Sequence, residues 1–196
     1  MSRSYRTEKP RVAAERKLER APDGKIILPR IVVRRPSRGD IHPLSARALR
    51  NVMRHEVPAE YLYGIDRIEL RPRPSEWIGK PFASYLPGEK AIILYSLPMA
   101  WMYEKRPEEA FLARMQRFFA FVTEHNSATW VVWPGPEVLA VWYFIEVLAH
   151  ELGHHFRNQY RIRRGSARGR RHEEFVADLH SARFYEALVK RLKTGV

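Results

Sequence analysis

The spacing of hydrophobic residues changes along the chain, and each change predicts an element. Apolar positions recur at helical spacing in 43–57, which predicts an amphipathic helix. The segment 107–126 begins with Pro107 and repeats apolar residues every three or four positions, which predicts a second helix. The run 137–160 is apolar on nearly all sides over its first half, a pattern typical of a buried helix.

Shorter β-rich runs predict strands over 25–35, 64–73 and 128–133. Two further runs, 82–86 and 91–95, flank Pro87-Gly88 and predict a hairpin, because this residue pair favours a turn. Helical spacing returns in 172–192 and predicts a last helix. The mixture of strands and helices predicts an α+β fold in one domain over 25–196, preceded by a basic arm over 1–24.

The formal charge of +13 is concentrated in two segments. Residues 1–40 carry twelve Lys and Arg against five Asp and Glu, and residues 157–171 carry seven Arg and no acid. We interpret 157–171 as an Arg-rich loop. Both segments favour contact with nucleic acid or an acidic partner, although a solvated charged tail is an equal alternative for 1–24.

Composition narrows the chemistry further. The chain has no cysteine, so any metal must be held by His, Asp or Glu. The longest apolar run, 138–149, is too short to span a bilayer and contains Glu146, so no membrane span is predicted. The first residues lack the apolar core of a secretory signal, and we therefore expect a cytoplasmic protein.

His150, Glu151 and His154 form the motif H-E-x-x-H at the end of the buried run. Residues four apart share a helix face, so both histidines can bind one ion, and Zn²⁺ suits two imidazoles. Glu151 is turned away from that ion but can reach a water on it and act as general base. His155 points about 100° away from His154 and is expected at the surface or behind the ligands. The alternative is a polar patch where a buried helix emerges.

A catalytic zinc site needs a third protein ligand. A histidine or aspartate at position 160 is excluded, because Tyr160 stands there. Glu174 and Asp178 are four apart on the predicted last helix and share a face. Glu174 is therefore a candidate ligand, and Asp178 is a candidate partner for the outer nitrogen of a ligand histidine. A solvated acidic face is the alternative for this pair.

These two motifs, H-E-L-G-H over 150–154 and E-F-V-A-D over 174–178, resemble those of the gluzincin metallopeptidases, especially the small minigluzincins. The resemblance covers about 82–186. It implies a small zincin-like domain in which a short mixed sheet with an edge-strand hairpin packs on the buried H-E-x-x-H helix and a C-terminal ligand helix. It also implies Zn²⁺ held by His150, His154 and Glu174, with Glu151 as general base.

The same resemblance implies that strand 91–95 is an edge strand that binds an extended peptide substrate. No motif identifies the residue that stabilises the transition state. His180, Arg183 and Tyr185 are candidates because they follow the third ligand on the same predicted helix, and Tyr185 is in helical phase with Glu174. A core aromatic is an equal alternative for Tyr185.

A second resemblance, to the SprT-like proteases that act on DNA-bound proteins, makes His172 the third ligand. It lacks the expected glycine and leaves Ala177-Asp178 without a role, so Glu174 is preferred. Three hypotheses follow: a zinc endopeptidase, a nucleic-acid-associated protein, and an interaction protein without catalysis.

Overall fold

The computed structural model describes residues 28–75, 81–159, 174–175, 177–179, 181–186 and 190. The predicted arm over 1–24 lies outside these ranges, as do residues 160–171 of the predicted Arg-rich loop, His172 and His180. Residues 157–159 are described, and they are helical rather than part of a loop. No helix within the described ranges combines the length and the apolar character needed to cross a membrane.

The described residues form a mixed α+β fold. Its helices are α1 (Ala46–His55), α2 (Ala59–Leu62), α3 (Glu109–Arg117), α4 (Pro136–Trp142) and α5 (Ala149–Gln159). Its strands are β1 (Arg30–Val33), β2 (Arg67–Arg71), β3 (Ala83–Leu86), β4 (Ala91–Tyr95), β5 (Ala100–Tyr103), β6 (Phe121–His125) and β7 (Ala128–Val132). The described residues from 174 onward are helical and are called α6. A π-helical segment, Tyr143–Leu148, joins α4 to α5, so the predicted buried helix is one continuous helical stretch.

The first sheet has the strand order β1-β2-β4-β3. Strands β1, β2 and β4 are parallel, and β3 pairs with β4 in the opposite direction across the turn Pro87–Glu89. This confirms the predicted hairpin. The prediction that 91–95 is an edge strand is wrong, because β4 is paired on both sides and β3 is the edge. A hairpin signal identifies two partners, but β4 gains its second neighbour from β2, which is distant in sequence.

The second sheet has the order β5-β7-β6 and corrects the predicted helix over 107–126. Helix α3 ends at Arg117, and Phe119 then adopts a positive φ of 65°, which turns the chain out of the helix. Residues from Phe121 onward pair with β7 instead of extending the helix. Long-range pairing therefore overrides the helical spacing in this segment.

The helical stretch from α4 to α5 is the centre of the hydrophobic core. Its residues Tyr143, Ile145, Leu148 and Leu152 are buried. The Tyr143 hydroxyl lies 2.8 Å from the backbone carbonyl oxygens of both Phe82, which directly precedes β3, and Tyr95, the last residue of β4. The hydroxyl of Tyr143 thus fixes the helical stretch against the hairpin of the first sheet. Helix α5 continues this stretch, contacts β3 and carries the H-E-x-x-H motif.

Candidate metal centre

Three potential ligand atoms converge where α5 meets α6. His150 and His154 lie on one face of α5, and their Nε2 atoms are 3.0 Å apart. Glu174 on α6 places its carboxylate oxygens 3.3 Å from His150 Nε2 and 3.7 Å from His154 Nε2. These ligand atoms all lie within 4.8 Å of one another. The structure therefore brings together the three residues that the sequence predicts as ligands.

The spacing of these atoms fits a tetrahedral zinc ion. Zinc binds imidazole nitrogen and carboxylate oxygen at about 2.0–2.2 Å, so two tetrahedral ligands should lie about 3.3 Å apart. The separations of 3.0 Å between the two Nε2 atoms and 3.3 Å between His150 Nε2 and Glu174 Oε2 lie near this value, and the 3.7 Å distance joins His154 Nε2 to the other carboxylate oxygen, Oε1. Two nitrogens and one oxygen are also a donor set typical of a catalytic zinc site. The residues present therefore fit the predicted metal.

Asp178 determines which nitrogen of His150 faces the cluster. Its Oδ1 lies 3.1 Å from His150 Nδ1, so this nitrogen donates its proton to the carboxylate and leaves the Nε2 lone pair directed at His154. Burial opposes protonation of His150, but the hydrogen bond to Asp178 and nearby carboxylates outweigh it and raise the pKa of His150. The same hydrogen bond lowers the pKa of Asp178. Asp178 thus contacts the outer nitrogen of His150, the atom for which the sequence analysis made it a candidate partner.

The pKa of His154 shifts the other way. Burial and the neighbouring His150 lower the pKa of His154, which favours its neutral form. Two Nε2 atoms facing each other at 3.0 Å require a proton or a cation between them. Neutral imidazole is the form that binds metal, so the lowered pKa of His154 favours the form that a metal ligand needs.

Glu151 lies beside the cluster but is not one of the converging ligands. Its side chain is buried, and its carboxylate accepts a hydrogen bond from the backbone N–H of Tyr85 on β3. Burial raises the pKa of Glu151 to about 7. A carboxyl group with this pKa can both accept and release a proton near neutral pH, as a general base must. A dication bound nearby would lower that pKa.

A cavity of about 260 Å³ opens beside the cluster. It lies between β3, α3, the π-helical segment and α6, and both Glu151 and Glu174 face it. The other lining residues are Pro81, Phe82, Ala83, Phe111, Arg114, Met115, Trp142, Glu146, Val147, His150 and Asp178. The cavity therefore lies directly beside the three converging side chains, and His150 and Glu174 both line it.

His155 is buried rather than at the surface, with 1% of its area exposed. Its Nε2 donates to the backbone oxygen of Tyr63 at 2.8 Å, and its Nδ1 accepts from the Tyr85 hydroxyl at 3.1 Å. Asn158 donates to the same hydroxyl. His155 thus holds the strand whose backbone contacts Glu151. No local sequence pattern indicates this role, because its partners lie 70 and 92 residues away.

Tyr185, a candidate for transition-state stabilisation, is not among the residues that line the cavity. Its ring packs edge-on against Phe118, with the ring centres 5.8 Å apart. Tyr185 is partly buried and packs against the hydrophobic core. Arg183, the second candidate, is exposed and is not among the residues that line the cavity. His180, the third candidate, lies outside the described residues.

Two cavity residues were missed by the sequence analysis as functional candidates. Glu146 was noted only as a charge inside an apolar run, and Arg114 was one of several charges on a predicted helix. The available signal for Glu146 was its position four residues before His150, on the same side of a helix.

Comparison with protein-family models, curated proteins and solved structures finds no match for this chain.

Proposed function

We propose that this protein is a zinc-dependent peptidase of the gluzincin type, with His150, His154 and Glu174 as ligands and Glu151 as general base. The observation that carries the proposal is the convergence of three ligand atoms from α5 and α6 within 4.8 Å of one another. The alternative, in which Glu174 and Asp178 form only a solvated acidic face of α6, does not explain why the Glu174 carboxylate lies within 4 Å of both histidines.

A zinc ion in this position would supply Lewis-acid activation of a water and of the substrate carbonyl. Glu151 faces the same cavity from a buried position, with its carboxylate oriented by the Tyr85 N–H. It accepts a proton from the attacking water and passes it to the amine that leaves. Asp178 holds His150 in the tautomer in which Nε2 faces the cluster.

The edge strand β3 is the surface on which we place an extended peptide. The Tyr95 N–H donates to the Phe82 oxygen, so residues 82, 84 and 86 direct their backbone groups toward β4. Ala83 and Tyr85 alternate with them and direct their backbone groups away from β4. The Tyr85 N–H contacts Glu151, and Ala83 lines the cavity. A peptide that pairs with Ala83 would therefore pass the metal-binding residues.

Zinc content per chain tests the proposed site. The wild-type protein should bind about one zinc, and Glu174→Ala should lose it, because removal of one of three ligands opens the site. Glu186→Ala, an exposed acid on α6, is the matched control and should retain zinc. Zinc retained in Glu174→Ala would move the third ligand elsewhere, with His172 the first alternative.

Hydrolysis of quenched fluorescent peptides tests the activity. Glu151→Gln should retain zinc and lose cleavage, since the amide cannot accept a proton. Cleavage that persists in zinc-loaded Glu151→Gln would refute the assigned general base.

The nucleic-acid alternative depends on the charge of 1–40 and 157–171. A DNA affinity that falls steeply with salt, and that is lost when residues 1–24 are removed, would support it.

A further inference from the structure

We propose that the cavity beside the metal-binding residues selects a substrate residue with a cationic side chain, lysine or arginine, and that Glu146 determines this preference. The proposal deepens the proposed peptidase function and rests on it.

The size and position of the cavity suit one side chain of a bound peptide. Its volume is about 260 Å³. Pockets for whole drug-sized ligands measure about 300–1,000 Å³, so this one accommodates a single large side chain. Ala83 of the edge strand and His150 of the cluster both line it. A peptide paired with β3 would therefore place a side chain next to the cleaved bond in this cavity.

Three aromatic rings belong to the apolar part of the wall. Phe82 and Phe111 lie nearly parallel with ring centres 6.3 Å apart, and Trp142 packs edge-on against Phe82 at 5.2 Å. Such rings pack against the methylene stem of lysine or arginine and attract a cation over their faces. The walls alone would also accept a neutral apolar side chain, so the charges decide between the two.

The cavity is acidic although the protein is basic. Its lining contains four carboxylates, Glu146, Glu151, Glu174 and Asp178, against the single guanidinium of Arg114. The lining therefore holds more acidic than basic groups, whereas the whole chain carries a formal net charge of +13. A cationic side chain is attracted to this cavity, and an acidic one is repelled.

Glu146 is the acid whose role the proposed mechanism leaves open. Its side chain is partly buried and lines the cavity, four residues before His150. Among the described residues no hydrogen bond or ion pair to its carboxylate is found, and Arg114 lies nearer the carboxylate of Asp178, at 3.8 Å. Burial raises the pKa of Glu146 despite the opposing charges of Arg114 and Arg117. The two arginines therefore compensate its charge only in part, and an incoming cation would complete the compensation.

Cleavage of matched peptides tests the preference. Peptides identical except for Lys, Arg, norleucine or Glu on either side of the cleaved bond are compared, because norleucine keeps the stem of lysine without its charge. We expect kcat/KM to be highest for Lys and Arg on one side of the bond. Relative to norleucine peptides, Glu146→Gln should lower kcat/KM for those peptides about ten- to hundredfold, the effect of losing a hydrogen bond between charged groups. Glu137→Gln, an exposed acid on α4, is the matched control.

Binding separates this proposal from the peptidase proposal. The same peptides are titrated calorimetrically into zinc-loaded Glu151→Gln, with and without Glu146→Gln. Tighter binding of Lys and Arg peptides that depends on Glu146 supports the cavity assignment, even if the wild-type protein cleaves no peptide and the peptidase proposal fails. Equal binding of Lys and norleucine peptides overturns it, as does a Glu146→Gln effect that is the same for every peptide.

Discussion

Asp178 offers the sharpest test of the metal centre, because it touches a ligand rather than the metal. Asp178→Asn preserves the shape of the side chain and removes the charge that accepts the Nδ1 proton of His150 at 3.1 Å. Loss of such a partner typically weakens metal affinity about 10- to 100-fold. We expect the dissociation constant for zinc to rise by this factor, while the fold of the zinc-free protein is retained, since Asp178 is half-exposed.

The expected thermal shift follows from mass action. Free zinc at 100 times the wild-type dissociation constant stabilises the folded state by about 2.7 kcal/mol. The same zinc concentration is only 10 to 1 times the constant of the variant, which leaves about 1.4 to 0.4 kcal/mol. For a chain of 196 residues, each kcal/mol shifts Tm by about 2–4 °C. Zinc should thus raise Tm by about 5–11 °C in the wild type and by about 1–6 °C in Asp178→Asn.

The assay is a fluorescence melt in a buffer that holds free zinc constant, with a chelator sample as the zinc-free reference. Glu186→Gln on the same helix is the control and should behave like the wild type, because Glu186 is exposed and is not among the residues of the cluster or of the cavity lining. A dissociation constant for Asp178→Asn within twofold of the wild-type value would show that this hydrogen bond does not orient a ligand.

Three further predictions concern residues around the site. Tyr143→Phe should lower the free energy of unfolding by about 1 kcal/mol in urea, because one buried hydrogen bond to the hairpin is lost; no change would mean that the helical stretch is held by packing alone. His155→Phe should lower the free energy of unfolding by about 1–3 kcal/mol, because the Tyr63 oxygen loses its donor and the Tyr85 hydroxyl loses its acceptor. The variant should also lower kcat for peptide cleavage, because His155 positions Tyr85. An unchanged kcat in the folded variant would contradict this positioning role. Burial raises the pKa of Glu146, so the Glu146 carboxyl group binds its proton more tightly in the folded state than in the unfolded state. The contribution of Glu146 to the free energy of unfolding therefore falls as the pH rises above its pKa in the unfolded state. Without zinc, Glu146→Gln should therefore raise Tm at pH 8 and change it little at pH 4, and the reverse pattern would refute the shift.

Features that depend on neighbouring residues were predictable. The i, i+4 spacing of His150 and His154 places both on one helix face wherever that helix lies, and Pro87-Gly88 favours a turn whatever its surroundings. Accordingly, the helices α1 and α5, the hairpin of β3 and β4, and the two-histidine face agree with the structure. The helical spacing of Glu174 and Asp178 also identified them as candidate site residues, but it did not predict how close they lie to His150.

Features that depend on distant residues required the tertiary structure. Strand β4 is interior because β2 pairs with it, and β6 is a strand because β7 pairs with it, so neither outcome is encoded in the local spacing. The same holds for the contacts of His155 and for the position of Glu146 in a cavity walled by α3 and β3. By itself the sequence determined which side chains can act together on one helix. Packing decided which of them meet, because burial and long-range pairing depend on segments that are far apart in the chain.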